Sequence, residues 1–168
     1  MSASPSAYAG DTMPTKREWR QDVRQAMAGS GHYVEDRVAD GGTVLAINFD
    51  IDNTSMATYY AEGKPVRRVL RFAKRARAQG VYLLFNTGRT AEKLGDMEAH
   101  LIAAGYAVTE ICTREEGMRL AKSKQTCRRH FVEEGYTIIA NVGNRRTDFV
   151  GDDYERAFRL PNYRNRLG

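Results

Sequence analysis

The sequence predicts an α/β fold: a three-layer α/β/α arrangement around a Rossmann-like parallel sheet. Two observations lead there. Short segments that are apolar on both phases recur along the chain, as strands buried on both faces of a parallel sheet require. Helical segments with apolar residues three and four positions apart separate them, and that alternation means βα units.

Residues 1–14, rich in Ser, Ala and Pro, read as a flexible lead-in. A helical extension over 15–40 follows. Thr15 and Glu18 form a capping box, Trp19, Val23, Ala26 and Met27 recur at helical spacing, and Gly29-Ser30-Gly31 stops the helix. Asp40-Gly41-Gly42 then turns the chain into a first strand, Thr43 to Phe49. Pro65 stands at a first helical position, with Val66, Val69, Leu70, Ala73 and Ala76 on one face up to Gly80. Val81 to Asn86 is the second strand. Thr90 caps the next helix, with Leu94, Met97 and Leu101 inward and Gly105 as its end. Tyr106 to Ile111 is a third strand, a helix runs from Ser123 to Gly135, Thr137 to Val142 is the fourth strand and Ala157 to Leu160 a short fifth. A chain of 168 residues holds one core of this kind, so 15–168 is read as a single domain.

Composition narrows the class. Hydrophobic residues at 42% and charged residues at 28% fit a globular protein rather than a disordered or fibrous one. No apolar run approaches the roughly 20 residues that span a bilayer, so no membrane partner is expected. Lys and Arg number 26 against 21 acidic residues, and the resulting net charge of +5 fits an anionic partner as well as a merely solvated surface. Arg156, Arg159, Arg164 and Arg166 make the tail basic, but aromatic residues do not interleave with them as on a single-strand platform. Nucleic acid or a nucleotide is therefore a second reading.

Cys112 and Cys127 form no recognisable disulfide framework or metal spacing and read as small core residues, with pairing in an oxidising compartment as the lesser alternative. Ala7-Tyr8-Ala9 resembles a cleavage site without the apolar region that should precede it. Two readings follow: a cytoplasmic chain, or a mature exported form lacking its signal peptide.

Ligands of open α/β sheets bind beyond the carboxyl ends of the strands. This sequence places Asp50-Ile51-Asp52-Asn53-Thr54 after the first strand, Thr87-Gly88-Arg89 after the second, and Gly143-Asn144 with Asp148 after the fourth. Lys124 opens the helix before the fourth strand, with Lys122 as a competitor for its role. Adjacent carboxylates are tolerable beside a cation or when one keeps a proton. Mg²⁺ suits such a site because it takes oxygen ligands and shares them with phosphate. Asp50 can then attack phosphorus to give an aspartyl phosphate, while Asp52 protonates the leaving oxygen and later activates water. Thr87 and the backbone amides of 51–54 can hold phosphoryl oxygens, and Lys124 can neutralise their charge. Singly, each residue also fits a turn, a cap or a solvated surface. Their joint order after consecutive buried segments favours the chemical reading.

These motifs resemble the haloacid dehalogenase (HAD) superfamily of phosphohydrolases. Asp50, Asp52 and Thr54 match its first motif, Thr87 its second and Asp148 part of its last. Val132-Glu133-Glu134-Gly135-Tyr136, Gly143 to Asp148 and Phe158 to Asn162 further resemble the class B and plant-type acid phosphatases, subfamily IIIB, over about residues 15–163. Lys124, four residues before Arg128, fits the spacing of that subfamily's motif lysine. The resemblance implies an essentially capless HAD-type domain. It implies phosphomonoester hydrolysis through Asp50, with Mg²⁺ held by Asp50, the Asp52 carbonyl, Asn144 and Asp148, and with Thr54, Gly88 and Arg89 bordering the substrate. Asn144 departs from the family's Gly-Asp pattern and removes one negative charge, with Asp152 or Asp153 as candidates to replace it. The segments from Asp52 to Lys124 are filled by the elements already read, so no large lid fits, and the helix around Trp19 is expected to wall the open crevice. Two other readings keep the site and drop the turnover: a phospho-accepting module, against which Asp52 argues, and a phosphate-binding protein weakened by Asn144.

Overall fold

In the computed structural model, which describes residues 12–168, a five-stranded parallel sheet forms the centre of the protein, in the order β3-β2-β1-β4-β5. The strands are β1 (Leu45–Phe49), β2 (Tyr82–Thr90), β3 (Glu110–Arg114), β4 (Thr137–Gly143) and β5 (Arg156–Arg159). Helices α1 (Lys16–Ala26), α2 (Ser30–Ala39), α3 (Arg67–Ala78), α4 (Ala91–Leu94), α5 (Met97–Ala104) and α6 (Leu120–Glu133) precede or connect them. The α/β class and parallel sheet expected from the sequence are both present. Most of the lead-in, residues 1–11, lies outside the described residues.

β1 is central because every one of its residues is buried and apolar except Asn48, whose side-chain amide donates to Asn141 on β4 at 2.8 Å. Phe49, Phe72 and Phe85 pack around it, with the Phe49 and Phe85 rings 5.5 Å apart. Truncating one of these rings to alanine is worth about 3–5 kcal/mol. Trp19, Val23, Met27 and Val34 belong to the same buried cluster, so the helical extension packs onto the sheet core.

Several elements differ from expectation for tertiary reasons. The Gly29-Ser30-Gly31 stop is a single left-handed residue, Gly29 at φ 76°, after which α2 begins at once. β1 starts two residues late because Gly42 and Val44 both take positive φ. Helix α3 begins at Arg67, with Val66 as its cap and Pro65 just outside. The single helix expected after Thr90 breaks at Gly95 into α4 and α5. The third strand is displaced towards the C-terminus: Tyr106 is a core residue whose hydroxyl donates to the Ser55 carbonyl at 2.9 Å, and pairing with β2 begins only at Glu110.

The cysteines take the lesser of the two readings that the sequence left open. Cys112 on β3 and Cys127 on α6 form a disulfide, with their Cα atoms 5.7 Å apart. The partners are brought together by the packing of α6 against β3, which their separation in sequence does not reveal.

Candidate active site

Asp50 follows β1 directly, and its amide still donates to the Val142 carbonyl, at 2.9 Å, so the carboxylate stands at the carboxyl end of the sheet's central strand. The next residues fold into a tight turn in which the Ile51 carbonyl accepts the amides of Thr54, Ser55 and Met56. The Thr54 amide, expected at a phosphoryl oxygen, is thus engaged within the turn. The Thr54 hydroxyl donates to Asp50 Oδ2 at 2.9 Å and orients that carboxylate.

Asp50 Oδ1 accepts from Lys124 Nζ at 2.7 Å, and the same ammonium lies 2.9 Å from Asp148 Oδ1. Lys124 is buried beside Asp50, whereas Lys122 is exposed. Asn86 in the middle of β2 holds α6 in place: its side chain donates to the Lys124 carbonyl at 2.9 Å, and its carbonyl accepts from Lys124 Nζ at 2.5 Å. Burial and the neighbouring Asp148 push the Asp50 carboxyl up to about 6, against the pull of Lys124 and Thr54. Burial works to lower the Lys124 pKa, but Asp50 and Asp148 outweigh it and raise it above the ordinary value.

Asp148 sits in a single 3-10 turn, Arg146–Asp148, and its Oδ2 accepts the amides of Asn144 (3.1 Å) and Arg145 (2.9 Å). This approach requires Gly143, because a Cβ there would lie 2.5 Å from Asp148 Oδ2. Asn144 is buried beside the pair; its Oδ1 lies 3.4 Å from the Thr54 hydroxyl and its Nδ2 has no partner among the described residues. Arg128, fully buried, donates to the carbonyls of Asp148 at 2.9 Å, Val150, and Asp152 at 3.1 Å, and so fixes the segment that carries Asp148. Asp152 and Asp153 do not replace the missing charge. Neither lines the crevice, and Asp153 pairs with Arg129 at 3.2 Å.

Asp52 is engaged differently from Asp50. Arg89 donates to both of its oxygens, each at 2.8 Å, and Thr58 donates at 2.9 Å. Burial raises the Asp52 pKa, but these hydrogen bonds outweigh it and hold the pKa below the usual carboxylate range. Arg89, expected beside the substrate, lines the crevice with its guanidinium paired to this carboxylate. The Thr87 hydroxyl, behind the wall, accepts the Arg89 amide at 3.1 Å.

The resulting crevice has a volume of about 340 Å³ and is walled by Asp50, Asp52, Gly88, Arg89, Lys124 and Asp148. Thr54, Thr87 and Asn144 support it from behind. Three cations that the motifs did not point to also line it: Lys93, Arg114 and Arg145. Arg114 is held there by the Gly88 and Met118 carbonyls at 2.8 and 3.1 Å, with no carboxylate against it among the described residues. No residue of α1 borders this crevice; Trp19 lines a separate groove instead. A buried carboxylate, an ammonium bound to it and a rim of further cations can together receive an anionic ester and attack it.

Residues 58–166 match the model of the HAD superfamily, subfamily IIIB (acid phosphatase). The chain belongs to this subfamily. The match spans Thr87, Gly88, Arg89, Lys124, Asn144 and Asp148 and begins after Asp50 and Asp52. Among curated relatives, a stem 31 kDa glycoprotein of Glycine max is 28% identical over 89 residues, which is 49% of this chain and 35% of that protein. A stem 28 kDa glycoprotein of the same plant is 29% identical over 90 residues, again 49% of this chain and 35% of the relative. The chain thus spans about a third of the length of these proteins. The class C acid phosphatase of Bacillus anthracis shares the fold, with a TM-score of 0.71 at 17% identity over 89% of this chain and 80% of that one. Its structure with tungstate bound gives a TM-score of 0.68 at 16% identity, with the same coverage.

Proposed function

We propose that this subfamily IIIB member is a Mg²⁺-dependent phosphomonoester hydrolase acting through an aspartyl phosphate on Asp50. The observation that carries the reading is the Lys124 ammonium between Asp50 and Asp148, at the carboxyl end of the central strand and open to the crevice. An Asp50 oxygen attacks phosphorus as the bond to the ester oxygen breaks, and that oxygen takes a proton from Asp52. Asp52 then accepts a proton from water, whose oxygen attacks phosphorus and displaces Asp50, releasing inorganic phosphate. Lys124 stays protonated and stabilises charge on the phosphoryl oxygens. Thr54 keeps the Asp50 carboxylate in line. For the first step Asp52 must carry a proton, so the hydrogen bonds from Arg89 must loosen when the substrate enters.

The residues present fit a divalent cation. Asp50 and Asp148 bring two carboxylates against one ammonium, Asn144 adds an amide oxygen, and hard oxygen donors of this kind suit Mg²⁺. Asp50, the Asp52 carbonyl, Asn144 and Asp148 would hold it, and it would supply Lewis-acid polarisation of the phosphoryl group. The family generally uses a divalent metal, which agrees with this donor set. A second reading of the substrate as a nucleotide or polynucleotide end has the Lys93, Arg114 and Arg145 rim in its favour, since these cations suit further phosphates. The Cys112–Cys127 disulfide favours an exported location over a cytoplasmic one.

A chromogenic phosphomonoester titrated with Mg²⁺ and with EDTA tests the proposal. Hydrolysis is expected to need the metal and to vanish in Asp50→Asn with the fold retained. Turnover that persists in that variant refutes the mechanism, and a stable phosphoprotein that never turns over would favour the phospho-accepting alternative.

A further inference from the structure

A strongly basic groove lies outside the active site. Helix α1 presents Lys16, Arg20 and Arg24 at intervals of four residues, forming one exposed row. Across a groove of about 610 Å³, α3 presents Arg67 and Arg71 at the same interval, with Lys64 and Arg68 alongside. Trp19, Val23, Ala57 and Val66 form the floor between the rows. Two rows of like charge facing one another repel. Lys16, Arg20, Arg24, Lys64, Arg67 and Arg71 make no ion pair or side-chain hydrogen bond among the described residues. Arg68 donates to the Met27 carbonyl at 3.1 Å, and its pKa is lowered by burial and then by Arg71 and Arg75.

The acidic residues of α1 are engaged elsewhere: Glu18 caps the helix at Thr15, and Asp22 accepts the Tyr163 hydroxyl at 2.5 Å. A second and independent feature points to a ligand. Trp19, only 3% exposed and lining the groove, carries a buried indole N–H with no acceptor among the described residues. A groove lined by a double row of cations, with an unpartnered N–H donor on one of its lining residues, is suited to an anionic ligand.

We propose that the groove between α1 and α3 is a binding site for an anion carrying several phosphate groups, separate from the catalytic crevice. The two cavities share no lining residue. A phosphate carries about −1.5 to −2 charges, so a single one leaves most of the seven cations unneutralised. The concave shape, with cations on both walls, suits a chain of phosphates laid along the groove better than a flat bilayer surface. The buried stacking of Trp19 on Tyr60, with ring centroids 4.8 Å apart, leaves no free aromatic face for a base, so recognition is of phosphates rather than of sequence.

Trp19 is the chain's one tryptophan, and its fluorescence reports directly on the groove. Tripolyphosphate, ATP and a short oligothymidylate are titrated at low salt into the wild-type protein and into Asp50→Asn, which removes turnover during the titration, and the groove variants below separate groove binding from crevice binding. Saturable change with at least one of these ligands is expected, and its rank among the three tells whether a bare phosphate chain, a nucleotide or a nucleic-acid backbone fits best. The double reversal Arg20→Glu, Arg67→Glu should weaken binding about tenfold or more, and the milder Arg67→Gln by about threefold with melting unchanged. The affinity should survive in Asp50→Asn and fall with salt. Absence of any saturable signal overturns the proposal. So does equal affinity for inorganic monophosphate or for an oligoglutamate, an affinity unmoved in both groove variants, or one lost in Asp50→Asn.

Discussion

Lys124 Nζ lies 2.7 Å from Asp50 Oδ1 and 2.9 Å from Asp148 Oδ1, so a single buried ammonium joins the end of β1 to the turn after β4. Removing it leaves two buried carboxylates facing each other. Lys124→Met should therefore lose turnover and also lose about 3–5 kcal/mol of stability, the usual cost of breaking a buried pair. Urea denaturation measures the second effect. Unchanged stability would mean that the two carboxylates find another partner, and the bridge would then not be a structural element.

Arg89 and Asp52 form a bidentate pair, each about a third exposed at the side chain. If Arg89 acts through Asp52, Arg89→Gln should raise the Asp52 pKa back towards the ordinary carboxylate range. The pH limb assigned to Asp52 should move up with it, while KM stays nearly constant. A large rise in KM with an unmoved pH profile would place Arg89 on the substrate instead.

The disulfide anchors α6, one helical turn beyond Lys124, to β3 at the sheet edge. Its partners are 15 residues apart, and a loop of that size is worth about 3 kcal/mol in the chain-entropy account. Cys127→Ser, or treatment with a thiol reductant, should lower the melting midpoint and reduce turnover through a looser Lys124. Equal midpoints for oxidised and reduced protein would contradict this.

Asp50 gives a pH dependence whose sign is fixed by its raised pKa. Its carboxyl moves from 3.8 to about 6 in the folded state, so in that window the folded protein holds a proton that the unfolded chain has released. Metal-free stability consequently falls as pH rises through the window and levels off above about 6. Mg²⁺ needs the ionised carboxylate, so it should raise the melting midpoint more at about pH 7 than at about pH 5. A metal-induced shift of equal size at both values would count against Asp50 as a ligand.

The parts of this molecule that were legible in the sequence are those governed by local pattern. The buried strands β1, β2 and β4 announce themselves by unbroken apolar runs, and Asp50, Asp52 and Thr54 by their position just after one of them. Lys124 was legible by its place at the start of the helix before the fourth strand, and was preferred to Lys122 only through its spacing to Arg128, whose own task of holding the Asp148 segment depends on contacts across the fold. The Cys112–Cys127 pairing, the displacement of β3 and the split between α4 and α5 follow from packing against neighbours that the local sequence does not name. The same holds for Arg114. Nothing beside it in sequence marks it as a crevice residue, because its place is set by the Gly88 and Met118 carbonyls.

Asn144 is where this chain departs from its subfamily's acidic pattern, and its surroundings define what restoring the charge should do. The side chain is buried, its Nδ2 has no partner among the described residues, and its Oδ1 is 3.4 Å from the Thr54 hydroxyl. Asn144→Asp removes the unsatisfied donor but sets a third buried carboxylate beside Asp50 and Asp148. Without a cation, repulsion should dominate and the variant should melt below the wild type. With saturating Mg²⁺ the order should reverse, because ligand charge tightens binding, and the Mg²⁺ concentration for half-maximal activity should fall about tenfold. The two effects have opposite signs, so melting with EDTA and with Mg²⁺ separates them. A variant destabilised equally in both conditions, with unchanged metal dependence, would show that position 144 does not face the cation.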